Sequence, residues 1–593
     1  MSQHIGSRIV TATGGSIKRV GNYKIHTFPS EVVTDGLVFN FDAADPASFP
    51  SQGSTVFDLS SNGHNGTISG ASYSTADGGV FDFDGSNDQI TTTTGILRET
   101  DQYFTVEQWL RYDSSNPSAG SPFGYGKNPD VAGNYAFVVH GQVNTGFYAF
   151  TSDGSAADGS EISTGTLTNG SWYHLVWLVG PGAIKLYKQG VNTSNATTTH
   201  TSINIRSDGA AVIGRDVRYG QSGTNRHFKG GIAVTRLYNR WLSDSEISQN
   251  YDAWRVRYGN YTANFTPVCE GNEGKVEVLC VAGGGGGGGG DVGSGGGAGG
   301  LVYNSAFTVN SNTAVSLSVG KGGRGSAVSA NQASDGDNTT FGSLTATGGG
   351  GGNGWGQTNQ GNAGRSGGSG GGGRPGGAGT AGQGFAGGTD STLGSPNYPQ
   401  GGGGGAGGVG QDAYRTGSAG TEVPGDGGAG LQYSVSGELK YYAGGGGGAI
   451  ESAQNSGRPT SKGGSGVGGN GGRGAPSQTA TNGVPNTGSG GGGDDSGTGV
   501  GGGNGSNGVV IVRYPAEDYN VEVLVVGGGG GGGSGSQYAY SGGGGGAGGF
   551  IYRSKLAVSS GENMKVSVGK GGAKGSGYDP APFGNTGTSG SNS

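Results

Sequence analysis

The sequence predicts a mainly β protein in two halves: a sandwich of short strands, then glycine-rich modules in which strands alternate with polyglycine-II-type helices. Three observations carry this prediction. Between residues 34 and 257, short alternating apolar runs are separated by turn residues. At 276–281 the strand-like run Val-Glu-Val-Leu-Cys-Val opens, after Ala282, into eight glycines, 283–290. The same design returns as Val-Glu-Val-Leu-Val-Val at 521–526, followed by seven glycines, 527–533.

The chain has 593 residues, room for two or more domains, and its 144 glycines concentrate after residue 282. The net charge is −7, charged residues are 13%, and no basic stripe is present, which argues against nucleic-acid binding. No apolar run is long enough to insert across a bilayer. The N-terminus lacks the basic-then-apolar pattern of a secretory signal, so an extracellular role implies exit by another route such as lysis. Two cysteines are too few for a disulfide framework. Cys280 stands where the second copy has Val525, which reads as a small buried apolar residue in preference to a Cys269–Cys280 bridge.

Residues 1–33 read as an arm. Two alternating runs, 9–13 and 23–28, are separated by Gly14-Gly15 and ended by Pro29. The arm is too small for its own core. It is expected to stay solvated, to pack on a neighbouring subunit, or to attach the protein to a larger body.

Residues 34–257 read as the sandwich. Runs at 36–41, 80–84 and 104–110 alternate, with Phe104, Val106 and Gln108 on one face and Thr105, Glu107 and Trp109 on the other. Residues 172–178 and 183–187 form a hairpin around Gly180-Pro-Gly182, and 211–214 and 231–238 supply the last strands. Only 243–251 looks helical, with Ser243 or Asp244 as cap and Glu246 in the first turn.

The ordered set GLVFNFDAADPAS, VFDLSSNGHNGTISG, VFDFDGSNDQI, FTVEQWLRYD, WYHLVWLV, IKLYKQG and FKGGIAVTRLYNRWLSDSEISQNYDAWRVRYG resembles the laminin-G-like, concanavalin-type jelly roll. That resemblance implies two packed antiparallel sheets and recognition of sugars or proteins on a concave face or rim. Hydrolytic relatives need two carboxylates on one strand face. No Glu-x-Asp-x-Glu run exists and Glu107 stands alone, so no catalysis is expected. Asp82, Asp84, Asn87 and Asp88 cluster around Gly85. Such oxygen donors suit calcium, but a polar turn whose side chains cap the backbone is the commoner use of these residues. Trp109, Trp172, Trp177, Tyr125 and Tyr148 are of the kind that stacks on sugar rings, but such aromatics more often fill a core, as expected for Trp172 and Trp177. The exposed candidates are Tyr112, Phe123 and Tyr125.

Residues 258–274 join the halves, and 261–266 echo 23–28 loosely. The repeat then runs beyond glycine. Gly-Gly-Leu-Val-Tyr at 299–303 matches Gly-Gly-Phe-Ile-Tyr at 548–552, and Ser-Val-Gly-Lys-Gly-Gly at 318–323 recurs at 567–572. Module 1 spans 275–515 and closes with Val-Val-Ile-Val-Arg-Tyr-Pro. Module 2, 516–593, stops where the next strand is due, which suggests a longer chain. Fixed-phase strands argue against a flexible linker, 18 prolines and no Gly-X-Y period argue against collagen, and Gly-Lys-Gly lacks the hydroxyl residue of a phosphate loop. A bundle of three-residue-per-turn glycine helices, hydrogen-bonded to one another, remains.

This tandem pattern resembles the glycine-rich modules of bacteriophage tail fibres and tail-tip adhesins. The resemblance implies a non-enzymatic receptor-binding protein of a virion tail, homo-oligomeric and often trimeric, beside other tail proteins and bound to a host-surface glycan or protein. A cell-surface or extracellular filament adhesin is the alternative, and a carbohydrate-active enzyme a further one. In such adhesins loops between glycine helices carry the receptor contact. The loop candidates are Trp355, Tyr398, Tyr433, Tyr441, Tyr442, Tyr538 and Tyr540, which equally suit caps on the lattice.

Overall fold

The computed structural model describes residues 9–117, 120–127, 135–142, 146–154, 162–217, 226–259, 261–327, 332–355, 362–391, 398–415, 422–451, 460–474, 477–498, 501–516, 518–534, 543–559, 566–575, 588–589 and 591. The chain forms two compact units, one of Met1–Val20 with Ile25–Tyr514 and the other of Gly21–Lys24 with Pro515–Ser593. Among the described residues no helix is long and apolar enough to cross a membrane.

The alternating runs of the first half build two antiparallel sheets. One orders Val191–Thr197, Ala183–Lys188, Trp172–Gly180, Phe104–Tyr112, Lys229–Tyr238, Val80–Asp84 and Ser72–Ser74, with Leu37–Asp42 also paired to Lys229–Tyr238. The other orders Ile162–Ser163, Gly146–Thr151, Tyr135–Gln142, Phe123–Gly126, Ala210–Ile213, Gln89–Thr92, Gly66–Ser69 and Thr55–Val56. Period-2 side chains fill the space between them, including Phe41, Phe81, Phe104, Val106, Phe137, Trp177 and Ile213. The fold is the expected jelly-roll sandwich.

The outer face of the first sheet is covered as well. The helix Asp244–Tyr258 starts at Ser243, whose hydroxyl accepts from the Glu246 N–H in a full capping box. It runs seven residues past the expected end and packs Ile247, Ala253 and Trp254 on the sheet.

The arm belongs to module 1, contrary to the expectation of a solvated or docking segment. Ile9–Thr13 pairs with Tyr261–Cys269 in a five-stranded sheet that continues through Val315–Val319, Thr339–Phe341 and Leu344–Ala346. Tyr23–Phe28 enters a second sheet with Val509–Pro515, Glu273–Val281 and Leu301–Asn310. The two sheets enclose Phe28, Phe265, Val278, Cys280, Phe341, Val510 and Tyr514. His26 links the arm to the module's closing strand, its ring lying 2.7 Å from the Gly14 carbonyl oxygen and 3.2 Å from the Tyr514 hydroxyl. The sandwich is thus inserted between strands of one module, and 258–274 is sheet rather than linker. Both cysteines are free and buried, so Cys280 fills the core as expected and makes no bridge to Cys269.

The glycines form a lattice. Along the first tract the N–H groups of Gly283 and Gly286 donate to the carbonyls of Asp337 and Ser334, those of Gly284 and Gly287 to Ser506 and Gly503, and those of Gly285 and Gly288 to Gly297 and Ser294. The carbonyls rotate in the same way. Gly283 and Gly286 accept from Gly349 and Gly352, Gly284 and Gly287 from Gly323 and Ser326, and Gly285 and Gly288 from Gly491 and Asp494. A three-residue period shared among six neighbouring segments defines a packed bundle of polyglycine-II helices. Gly463, at φ −69° and ψ 146°, has the same extended geometry, and Gly290, at φ 89°, turns the first tract. Side chains enter sparingly. Buried Asp494 accepts from the Ala480 N–H (3.0 Å) and the Thr498 hydroxyl (2.5 Å). Buried Asp390 accepts from Ser294 (2.7 Å) and the Gly401 N–H (2.8 Å).

The second unit repeats the opening of this design. Asp518–Val526 pairs with Phe550–Ser559 and carries a register shift at Val521/Val523, matching that at Val276/Val278. Gly527, Gly530 and Gly533 donate to Gly549, Gly546 and Gly543, as Ala282, Gly285 and Gly288 donate to Gly300, Gly297 and Ser294.

From Gly283 to Gly288 an added Cβ would collide with the backbone of Lys321, Ser489, Gly350, Arg324, Gly492 and Asn353 in turn, whereas at Gly408 the nearest atom is 3.6 Å away. Gly287→Val should therefore destabilise the first unit by more than about 3 kcal/mol and Gly408→Ala by less than about 0.5 kcal/mol, read from urea unfolding. Burial pushes the Asp494 carboxyl up to about 7 and those of Asp390 and Asp495 to about 6. The folded state then holds these protons more tightly than the unfolded chain, so their contribution is fully present below the ordinary carboxylate value of 3.8 and is lost progressively as pH rises from there through 6–7. The thermal midpoint should fall between pH 5 and pH 8, and Asp494→Asn should flatten that fall.

Candidate functional site

The most site-like feature lies where the helix meets the outer face of the sandwich. Trp109 points outward from Phe104–Tyr112, at a register shift against Lys229–Tyr238 that re-aims the strand. Tyr251 and Tyr258 are seven residues apart and share a helix face. Both rings stack on Trp109, with centroids at 5.7 Å and 4.7 Å. Trp172, at the start of Trp172–Gly180, meets Tyr258 at 4.4 Å. Its indole N–H donates to Asp77 (3.0 Å), which also pairs with Arg324 of the glycine module (2.7 Å). Gln189 is held beside it, its carbonyl accepting from the His174 N–H at 3.0 Å.

These residues, with Arg255 and the Gly170-Ser171 turn, line an open cleft of about 450 Å³. The Arg255 guanidinium lies 5.9 Å from the Tyr251 ring centroid and 4.5 Å from that of Tyr261. Among the described residues the Trp109 indole N–H and the Tyr258 hydroxyl have no hydrogen-bond partner. Burial raises the Tyr258 hydroxyl far above its ordinary range, so it stays a neutral donor. The lining contains no carboxylate among the described residues. Trp109, at 1% exposure, backs the cleft from beneath, and the half-buried Trp172, Tyr251 and Tyr258 rings with the Gln189 amide and the Arg255 guanidinium make a surface for a flat ligand with an apolar face and a rim of hydroxyls.

Below the cleft is a dry charge network. Glu107 accepts from Arg236 (2.8 Å) and Asn250 (2.7 Å), and the His174 ring stands 3.1 Å away. Glu107, Arg236 and His174 are fully buried. Burial alone would raise the Glu107 carboxyl, but Arg236 and the bonds from His174 and Asn250 outweigh it and hold it below the usual range. Glu107 therefore anchors the helix to the sheet and is shielded from any substrate.

Several expected site residues lie elsewhere. Tyr112, Phe123 and Tyr125 sit in strands and fill the intersheet core, at 2%, 0% and 0% exposure, which corrects their placement on an exposed rim. Alternation aims them inward. Trp172 lines the cleft rather than the core. The Asp82–Asp88 cluster is a polar turn and does not gather into a cation site. Asp82 pairs with Arg111 (2.5 Å), Asp88 accepts from the Asp84 N–H (2.7 Å), and Asp84 accepts from the Ser86 N–H (2.7 Å). With Asn87 exposed beside them, this is a backbone-capping turn, and no group of three acidic, His or Cys residues suited to calcium occurs among the described residues. Tyr433 packs on Tyr303 at 5.0 Å, Tyr441 is exposed and Tyr442 is buried. Tyr398 is half-buried beside Asp291 and Glu451. Of Trp355 only the backbone, paired with Val292, is described, and Tyr538 and Tyr540 lie outside the described residues. Tyr433, Tyr441 and Tyr442 share the hairpin of Leu431–Tyr433 and Lys440–Tyr442, and the lining that holds Tyr398 contains none of them.

A glycine-rich domain family model matches residues 259–515 and again 514–593, more than half of the chain. The chain belongs to the glycine-rich domain family. Within this glycine-rich protein, residues 84–248 match the concanavalin A-like lectin/glucanases superfamily, so a laminin-G-like domain is present beside the modules. No curated protein matches the chain. Similar solved structures include domain 4 of AbnA, a GH43 extracellular arabinanase from Geobacillus stearothermophilus, at 18% identity and TM-score 0.28, covering 36% of this chain and 98% of that one. A Trypanosoma rangeli sialidase in complex with sialic acid has 18% identity and TM-score 0.30, covering 37% and 33%. The receptor binding domain of botulinum neurotoxin C/D mosaic serotype has 11% identity and TM-score 0.30, covering 42% and 57%.

Glu107→Ala should cost about 3–5 kcal/mol in urea unfolding because Arg236 is left buried and uncompensated. Adding Arg236→Met should recover most of the loss. The Glu107 contribution should be intact at neutral pH and disappear as pH falls through and below the usual carboxylate range, opposite in sign to that of Asp494.

Proposed function

We propose that this glycine-rich protein is an adhesin that binds a surface glycan through the Trp109–Trp172–Tyr251–Tyr258 cleft without acting on it. The observation that carries the reading is the cleft itself: stacked aromatic faces bordered by Gln189 and Arg255. Ring faces bind the apolar side of a sugar, and the polar border takes its hydroxyls. The match to a lectin-containing superfamily supports a carbohydrate ligand. The burial of Glu107 supports binding without hydrolysis, which needs an accessible pair of carboxylates.

The glycine lattice is the mount in this reading. Asn482 donates to the carbonyls of Ala44 (3.2 Å) and Gly78 (3.1 Å), and Thr479 to that of Ser51 (3.0 Å), so sandwich and module 1 move together. A binding domain hydrogen-bonded to a sparsely charged glycine lattice suits a component of a virion tail fibre, assembled with copies of itself and with other tail proteins. A cellular filament adhesin would use the same parts, and imaging the native assembly distinguishes the two.

Screening the full chain on immobilised surface polysaccharides should reveal saturable binding. Trp172→Ala should weaken it about tenfold or more, the equivalent of about 1.4 kcal/mol, at temperatures where the unfolding curve of the variant shows it folded. Binding that survives Trp172→Ala, or sustained release of new reducing ends, would contradict the proposal.

A further inference from the structure

The aromatic cleft is fastened to the glycine module on two of its borders. On one, the Trp172 indole N–H donates to Asp77 Oδ2 at 3.0 Å, and Asp77 Oδ1 accepts from Arg324 of module 1 at 2.7 Å. On the other, Arg255 donates to the Thr262 carbonyl at 3.1 Å and its guanidinium lies over the Tyr261 ring, both partners belonging to the strand Tyr261–Cys269. Thr479, by contrast, ties the module to Ser51, which does not line the cleft.

The turn that carries Asp77 is held from several sides. Asp77 has φ 51° and ψ 29°, a left-handed conformation that a non-glycine residue adopts only where its surroundings impose it. Arg257 donates to the Asp77 carbonyl at 2.8 Å, and Asn482 and Asn504 of the module donate to the carbonyls of Gly78 and Thr75. The carboxylate itself stands between two guanidinium groups, with Arg111 3.6 Å from Oδ2 and Arg324 on Oδ1. Arg324 therefore opposes the attraction of Arg111 for the carboxylate, and that balance sets where the Trp172 indole is anchored.

We propose that module 1 is part of the glycan site, with Arg324 as a positioning residue that fixes the Trp172 ring through Asp77. This rests on the reading of the cleft given above. The lattice then does more than mount the sandwich: it shapes recognition in a cleft whose stacked rings it does not supply.

The full chain has six tryptophans, so its indole N–H groups give a sparse nitrogen–proton correlation spectrum, in which Trp172→Phe identifies the Trp172 signal. Arg324→Ala should move that signal and speed its exchange with water at least about threefold, as expected for loss of a partly exposed ion pair, and Arg324→Lys should restore both. Thr479→Val should leave the signal in place. On the polysaccharide retained in the binding screen, Arg324→Ala should weaken affinity about threefold, with no further effect once Trp172→Phe is present. An unmoved Trp172 signal in Arg324→Ala, an equal disturbance from Thr479→Val, or additive losses in the double variant would each overturn the proposal. If the signal moves as expected but no polysaccharide binds, the glycan reading of the cleft fails and Arg324 still positions Trp172.

Discussion

Backbone must touch backbone in module 1, and that single requirement shapes its glycine tracts. Each tract residue donates to one neighbouring helix and accepts from another, and the next residue turns a third of the way round to do the same. The helices can approach so closely only where no Cβ stands between them. Glycine is the residue most costly to order, by about 0.5–1 kcal/mol each relative to alanine. The repeated hydrogen bonds between buried tracts of module 1 offset that cost collectively, so the lattice works as one body.

The rest of the first unit secures the lattice and uses it. Two five-stranded sheets form its base, and the N-terminal arm completes both of them. The sandwich leaves and re-enters between those strands, so both of its ends are held. Asp77 is the point where the two halves meet most informatively. It accepts from Trp172 in the cleft and pairs with Arg324 in the module. Asp77 thereby couples the cleft to the module through one carboxylate.

The sequence made the repeat legible because its signals are local. Val276 to Val281, the glycine run and the Gly-Lys-Gly motif each stand in fixed phase, and period 2 put Phe104 and Val106 on one face, the face that meets the core. What depended on distant partners was not legible. Tyr112, Phe123 and Tyr125 read as exposed because the sheet that buries them comes from segments far along the chain. The arm read as loose because its partners, Tyr261–Cys269 and Val509–Pro515, lie some hundreds of residues away. The cleft was missed for the same reason, although the spacing of Tyr251 and Tyr258 marks a shared helix face. The Asp82–Asp88 cluster had the composition of a cation loop, but Arg111 and the backbone take up its carboxylates.

Native-state amide hydrogen exchange, resolved by residue, tests the lattice most directly. If the glycines are ordered by their neighbours, the amides of 284–288, 295–299 and 402–404 should exchange only through global unfolding, as slowly as those of Val278 and Cys280 in the sheet. Exchange of those glycines at the rate of an unstructured chain, with the flanking strands still protected, would contradict the account.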